Sequence, residues 1–82
     1  MMAARCQHHF VIFGFTTTHA ALDAERVLLD LGVPLIPVPA PKGFGALCGI
    51  GLRLDVADAV RAAEYLDRAG IEVARSVEVA DL

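Results

Sequence analysis

The fold is decided by residues 9–18, His9-Phe10-Val11-Ile12-Phe13-Gly14-Phe15-Thr16-Thr17-Thr18. β-Branched and aromatic side chains occur at both even-numbered and odd-numbered positions, which point to opposite faces of a strand. This indicates a strand that is covered on both faces. The threonines that follow are typical N-caps of a helix. A buried strand that leads into a helix is the beginning of a βαβ unit. The stretch therefore predicts a mixed domain with this strand at the centre of its sheet.

The segment that follows predicts one helix and one edge strand. The apolar positions of the helix recur at helical spacing: Ala21, Ala24, Leu28 and Leu31. Gly32 can end this helix in the left-handed conformation that glycine adopts without steric cost. The next apolar residues, Val33 to Ile36, lie between and beside Pro34 and Pro37, and proline is tolerated mainly at the edge of a sheet.

The second half of the chain repeats this plan. Apolar side chains alternate with Gly51 and Arg53 in a third strand that carries Ile50, Leu52 and Leu54. Asp55 and Asp58 favour the start of a second helix, because acidic groups stabilise the positive end of the helix dipole. Its predicted buried stripe is Val56, Ala59, Val60, Ala63 and Leu66. The helix should end at Gly70, and a half-solvated fourth strand follows it.

A shift of 38 residues superposes the two halves and predicts the topology. It places Ala24 on Ala62, Leu28 on Leu66 and Gly32 on Gly70. Two right-handed βαβ halves in one small sheet give an α+β, ferredoxin-like βαββαβ sandwich, with antiparallel strand order 4-1-3-2 and both helices on one face. We expect one domain over residues 1–82, of which about 1–7 form a frayed N-terminal extension.

Composition and charge exclude several classes of protein. Of 82 residues, 56% are hydrophobic and 21% charged, which excludes a disordered chain. The net charge of −3 offers no basic field for nucleic acid or an anionic membrane. A long uncharged stretch, Gln7 to Leu22, is interrupted by histidines and threonines and is too polar for a membrane span. We therefore expect a cytoplasmic protein with reduced thiols.

The predicted topology brings one cysteine to the start of the first helix. The third strand runs antiparallel to the first, so its beginning at Cys48 should lie beside the end of the first strand. Cys48 shares its parity with Ile50 and Leu52, so its sulfur should face the helices, near the free N–H groups of the turn Thr17, Thr18 and His19. Helix N-termini and nearby cations favour a thiolate, and His19 and Lys42 are the candidate cations. The sequence thus predicts a reactive thiol at Cys48.

Other interpretations of the same residues remain open. Cys48 can instead be a small buried hydrophobe, as most free cysteines are. The glycine-rich loop from Pro39 to Leu47 can cover and expose Cys48 or can be an ordinary connection. Cys6, His8 and His9 lie too close together on a strand to close a tetrahedral metal site, so we expect no metal. Cys6 should lie at the far end of the first strand from Cys48, too distant for a disulfide.

The chain resembles a family of small proteins described as putative selenium/sulfur carrier-like. The resemblance rests on Phe13 to Ala21, on Ala24 to Leu29, on Pro37-Val38-Pro39 and on Cys48 to Arg53, Cys-Gly-Ile-Gly-Leu-Arg. It implies that Cys48 carries sulfur or selenium as a persulfide or selenopersulfide, with Gly49 beside it. In the loop before Cys48 the family commonly has serines, where this chain has Gly43-Phe44-Gly45-Ala46-Leu47.

Two functions follow from the sequence. The first is a carrier without a cofactor, which takes sulfur or selenium from a donor protein and passes it to an acceptor protein by thiolate exchange. The second is a non-enzymatic, ACT-like regulatory or interaction module, because the βαββαβ topology serves many functions. Its interface would be the open sheet face with Gly49, Gly51, Phe10 and Ile12, used for homodimerisation or for docking of a protein.

Overall fold

The computed structural model describes residues 8–40 and 48–81, which form four strands and two helices. In chain order these are β1 (His8–Gly14), α1 (Thr18–Asp30), β2 (Ile36–Pro39), β3 (Ile50–Asp55), α2 (Val56–Arg68) and β4 (Arg75–Asp81). The predicted extension at residues 1–7 and the predicted cation Lys42 lie outside the described residues.

The sheet has the predicted topology. Its strand order is β2-β3-β1-β4, which is the predicted order 4-1-3-2 from the opposite edge. All three strand pairs are antiparallel, and β1 lies between β3 and β4. The short strand β2 lies at the edge, as predicted, but it spans Ile36–Pro39 and not the predicted Val33 to Ile36. The α+β, ferredoxin-like fold is therefore confirmed.

Both helices end in the same hydrogen-bonded motif. Gly32 and Gly70 have positive φ angles of 81° and 76°, the conformation that favours glycine. The residue after each glycine donates its N–H back into the helix, from Val33 to the carbonyl of Leu28 and from Ile71 to that of Leu66, each over 2.9 Å. This is the Schellman motif, which satisfies carbonyl groups at the end of a helix.

The core lies between the helices and one face of the sheet. Alternate residues of β1 and β3 enter it, and small residues on the helices allow close packing. The largest fully buried side chains are Phe15, Leu28, Leu52, Leu54, Leu66 and Val33. None of the buried side chains among the described residues is polar or charged. The fold is therefore held mainly by burial of apolar surface.

The buried stripe predicted for α2 is partly wrong. Val60 is 73% exposed and Val56 is 39% exposed. Ala63 is exposed as well. Of the predicted residues, Leu66 is buried and Ala59 packs against the core, and Ala62, which was not predicted, is buried beside them. The buried stripe is therefore rotated around the helix relative to the predicted one. The prediction included Val60 because its side chain is apolar, but this residue lies on the solvent side of the helix.

The second face of the sheet carries no helix in the described structure. By the pairing register it presents Phe10, Ile12, Val38, Gly51, Arg53, Val77 and Val79. Ile12 is nevertheless only 8% exposed, because neighbouring strands crowd it. A Cβ atom on Gly51 would stand 2.7 Å from the Cγ2 of Ile12, so this close approach requires glycine. The guanidinium of Arg53 lies 3.8 Å from the centroid of the Phe10 ring, a cation–π contact.

Candidate functional site

Cys48 lies where the start of β3 meets the end of β1. Its backbone N–H donates to the carbonyl oxygen of Phe15 over 3.1 Å. Phe15 directly follows β1 and is fully buried, so this bond holds Cys48 against a rigid part of the fold. The Cys48 side chain is half-buried and packs against the core on the helix side of the sheet. The topology thus positions the residue that the sequence singles out.

The N-cap of the first helix lies two residues beyond Phe15, and the helix begins at Thr18. Thr17 is the N-cap, with extended backbone angles, and its Oγ1 accepts a hydrogen bond from the N–H of Ala20 over 3.0 Å. The carbonyl of Thr17 accepts from Ala21 over 3.1 Å. Among the described residues, the backbone N–H groups of Thr18 and His19 have no hydrogen-bond acceptor, as is usual in the first turn of a helix. These two N–H groups can stabilise an anion near the start of α1.

Among the described residues, the thiol of Cys48 makes a hydrogen bond to the first residue of β3. Its Sγ donates to the carbonyl oxygen of Ile50 over 3.4 Å. Only the protonated thiol can make this contact, because a thiolate has no proton to donate. A nucleophilic Cys48 must therefore give up this bond and turn its sulfur away from the Ile50 carbonyl.

The described contact of His19 is with a carboxylate on its own helix. Its Nε2 lies 3.1 Å from Oδ2 of Asp23, one turn further along, and its side chain is 87% exposed. Arg26 shares the same carboxylate through a 3.2 Å contact with Oδ1. Part of any positive charge on His19 is thus balanced by Asp23. The role of His19 toward Cys48 stays a prediction.

Gly49 contributes its backbone to the site. Its carbonyl oxygen accepts a hydrogen bond from the N–H of Ala40 over 3.0 Å, which joins the segment after β2 to the segment before β3. A Cβ atom on Gly49 would meet no other atom within 4 Å, so the fold does not require glycine here. Gly49 also borders a shallow groove of about 320 Å³, lined by Pro37, Val38, Pro39, Gly49 and Ile50.

Sequence reasoning missed the backbone partners of the site. The carbonyls of Phe15 and Gly49 and the groove beside Pro37 and Pro39 depend on strand register, which residue types alone do not specify. The Pro-x-Pro pattern of residues 37–39 is the one signal in the sequence that marks this groove.

No metal centre is found in the part of the chain that the structure describes. No three histidine, cysteine or acidic side chains cluster there. His9 is paired instead with Glu78 across neighbouring strands, with Nδ1 3.2 Å from Oε2. Cys6 lies outside the described residues.

Neither described helix has the length and apolar character needed to cross a bilayer.

The comparisons with known proteins identify a family. No curated protein matches the chain. A family model described as "Putative Se/S carrier protein-like" matches residues 10–78, and the chain belongs to this family.

Proposed function

We propose that this protein is a cytoplasmic carrier that holds a sulfur or selenium atom on Cys48 and transfers it between two other proteins. The observation that carries the proposal is the bond from the Cys48 N–H to the carbonyl of Phe15, because Phe15 lies two residues before Thr17, the N-cap of α1. Membership of the carrier-like family supports the carrier role, and Cys48 is the cysteine that lies within the matched residues 10–78.

The proposed step is a thiol–persulfide exchange. The thiolate of Cys48 attacks the outer sulfur of a persulfide on a donor protein, and the donor's inner sulfur leaves as a thiolate. One S–S bond forms while another breaks, so no oxidant, reductant or cofactor is consumed. With selenium in the outer position the same exchange gives a selenopersulfide on Cys48.

Thr17, Thr18, His19, Lys42 and Gly49 are the groups that we propose to support this step. The amides at the start of α1 supply partial positive charge, and His19 and Lys42 supply cations near an anion at Cys48. Thr17 holds the helix start in place through its bond from Ala20. We propose that a partner protein docks on the groove that Gly49 lines, one residue along the chain from Cys48.

Mass spectrometry after incubation with a persulfide-bearing cysteine desulfurase tests the proposal. We expect Cys48 to gain the mass of one sulfur atom, reversibly with a thiol reductant. Cys6→Ser should keep this adduct, whereas Cys48→Ser should lose it. An unmodified Cys48, in a reaction that loads a known carrier in parallel, would contradict the proposal.

A second candidate, a non-enzymatic ACT-like module that docks a protein on the open sheet face, is favoured by one observation. Ile36 and Val77 on this face are 59% and 37% exposed, and a groove of about 280 Å³ on the same face is lined in part by Phe10, Ile12 and Val38. Exposed apolar surface of this kind is typical of interaction sites. Val77→Asp should then abolish partner binding while persulfide loading of Cys48 persists, which distinguishes the two functions.

A further inference from the structure

The two edges of the sheet differ in the backbone groups that they present. The carbonyl of Phe15 accepts from Cys48 on the β3 side of β1, and that of Gly14 accepts from Ala74 on the β4 side. Backbone groups of successive residues point to opposite sides of a strand, so the even-numbered residues of β1 bond to β4. Their partners in β4 are the odd-numbered residues. Ser76, Glu78 and Ala80 therefore direct their N–H and C=O groups outward.

The edge at β2 cannot extend the sheet in this way. The N–H of Ala40 donates to the carbonyl of Gly49, just before β3. The backbone N–H and C=O groups of even-numbered residues in β2 therefore point toward β3. Pro37 and Pro39 are the β2 residues that face outward, and proline has no N–H to donate. Prolines on an edge strand block strand pairing. The sheet thus has one blocked edge, β2, and one edge at β4 with donors and acceptors in alternation.

We propose that β4 pairs antiparallel with β4 of a second copy, across a two-fold axis at Glu78, so that the two sheets become continuous. A two-fold interface uses the same surface on both copies, and a strand that pairs with itself meets this condition. In this register Ser76 lies opposite Ala80 and Val77 opposite Val79, and the full length of β4, Arg75–Asp81, is paired.

Charge favours this register over its neighbours. Arg75 comes opposite Asp81 at both ends, so a basic position faces an acidic one twice. A shift by two residues in one direction sets Arg75 against Val79, and a shift in the other sets Val77 against Asp81. All three registers pair valine with valine on the open face, but only the register centred on Glu78 also sets opposite charges against each other.

This register brings Glu78 close to its own copy, which costs stability. Like charges directly opposite each other in a sheet are unfavourable. Each Glu78 already has a partner in its own chain, since His9 Nδ1 lies 3.2 Å from its Oε2. We therefore expect Glu78→Gln to tighten the dimer, and a mixture of Glu78→Lys with the unsubstituted protein to form mainly the mixed dimer.

Cysteine cross-linking tests the interface and its register, with Cys6→Ser and Cys48→Ser as the background. Residues of a hydrogen-bonded pair have Cα atoms about 5.5 Å apart, within the roughly 4.4–6.8 Å that a disulfide spans. Glu78→Cys should therefore cross-link to itself under a mild thiol oxidant. Ser76→Cys alone should not, because its own copy lies about 14 Å away at about 3.4 Å per residue. Ser76→Cys mixed with Ala80→Cys should cross-link.

Sedimentation supplies the second measurement. Glu78→Pro removes an outward N–H and leaves the bonds of β4 to β1 in place, so we expect a folded monomer with an unchanged circular dichroism spectrum. Pro37→Ala at the opposite edge is the matched control and should leave the dimer intact. A monomeric unsubstituted protein at high concentration, or cross-linking of Ser76→Cys alone as efficient as that of Glu78→Cys, would overturn the proposal.

Discussion

The two helices of this protein have the same length and the same kind of ends, and they begin 38 residues apart. The strands that lead into them end differently. α1 begins at Thr18 after the N-cap Thr17, and α2 begins at Val56 after the N-cap Asp55. Both helices have 13 residues and end in a Schellman motif with a left-handed glycine. The repeat is thus maintained from one end of each helix to the other.

The difference lies at the junction between strand and helix. β3 continues to Asp55, which is also the N-cap of α2, so no residue separates the two elements. β1 ends at Gly14, and Phe15, Thr16 and Thr17 intervene before α1. The carbonyl of Phe15 is therefore available to bind the N–H of Cys48. The regular junction only supports the fold, whereas the irregular one also holds the candidate site.

The largest effect should come from the equivalent leucines in the two helices. Leu28 and Leu66 are both fully buried, so replacing either by alanine should lower the free energy of unfolding by about 2–5 kcal/mol. Chemical denaturation monitored by circular dichroism measures both losses. Leu29→Ala, at a position that is 50% exposed, is the control and should change stability little. A loss confined to one half would show that the repeat is not equivalent in packing.

The repeat also explains where sequence reasoning succeeded and failed in the helices. Superposing the halves pairs Ala24 with Ala62, and both are fully buried. Choosing the stripe of α2 by apolar residue type instead included Val60, which is 73% exposed. Hydrophobic side chains are common on protein surfaces, so residue type alone is a weaker guide than a repeated position.

The second effect compares two glycines in the segment that carries Cys48. A methyl group on Gly51 would collide with Ile12, so Gly51→Ala should cost about 1–3 kcal/mol of stability. Gly49→Ala meets open space and should change stability little, which makes it the matched control. Thermal or chemical unfolding measures the difference. Equal losses for both variants would mean that the close approach of β1 to β3 is not what requires glycine at position 51.

The site was only partly predictable from the sequence. Antiparallel pairing of the first and third strands follows from the topology, and it places Cys48 beside the end of β1. The bond from the Cys48 thiol to Ile50 and the pairing of His19 with Asp23 depend on side-chain conformations that topology does not determine. Sequence reasoning therefore found the residue but not its hydrogen-bond partners.

The smallest effect on stability separates the two junctions most clearly. Thr17→Ala and Asp55→Ala each remove a side-chain cap, from the N–H of Ala20 and of Ala57, and each should cost about 0.5–2 kcal/mol. The two variants are thus matched in their effect on the fold. Only Thr17→Ala loosens the helix start beside Cys48, so only this variant should slow persulfide loading of Cys48 at neutral pH.

The rate of loading, measured under conditions where both variants remain folded, decides between two roles for the first junction. A slower reaction in Thr17→Ala alone would mean that the start of α1 assists the thiol. A similar decrease in both variants would instead follow from reduced stability of the whole domain, because both caps hold equivalent helices against one core. Unchanged rates in both would mean that the cap of α1 does not influence Cys48, and the proposed stabilisation of an anion there would be wrong.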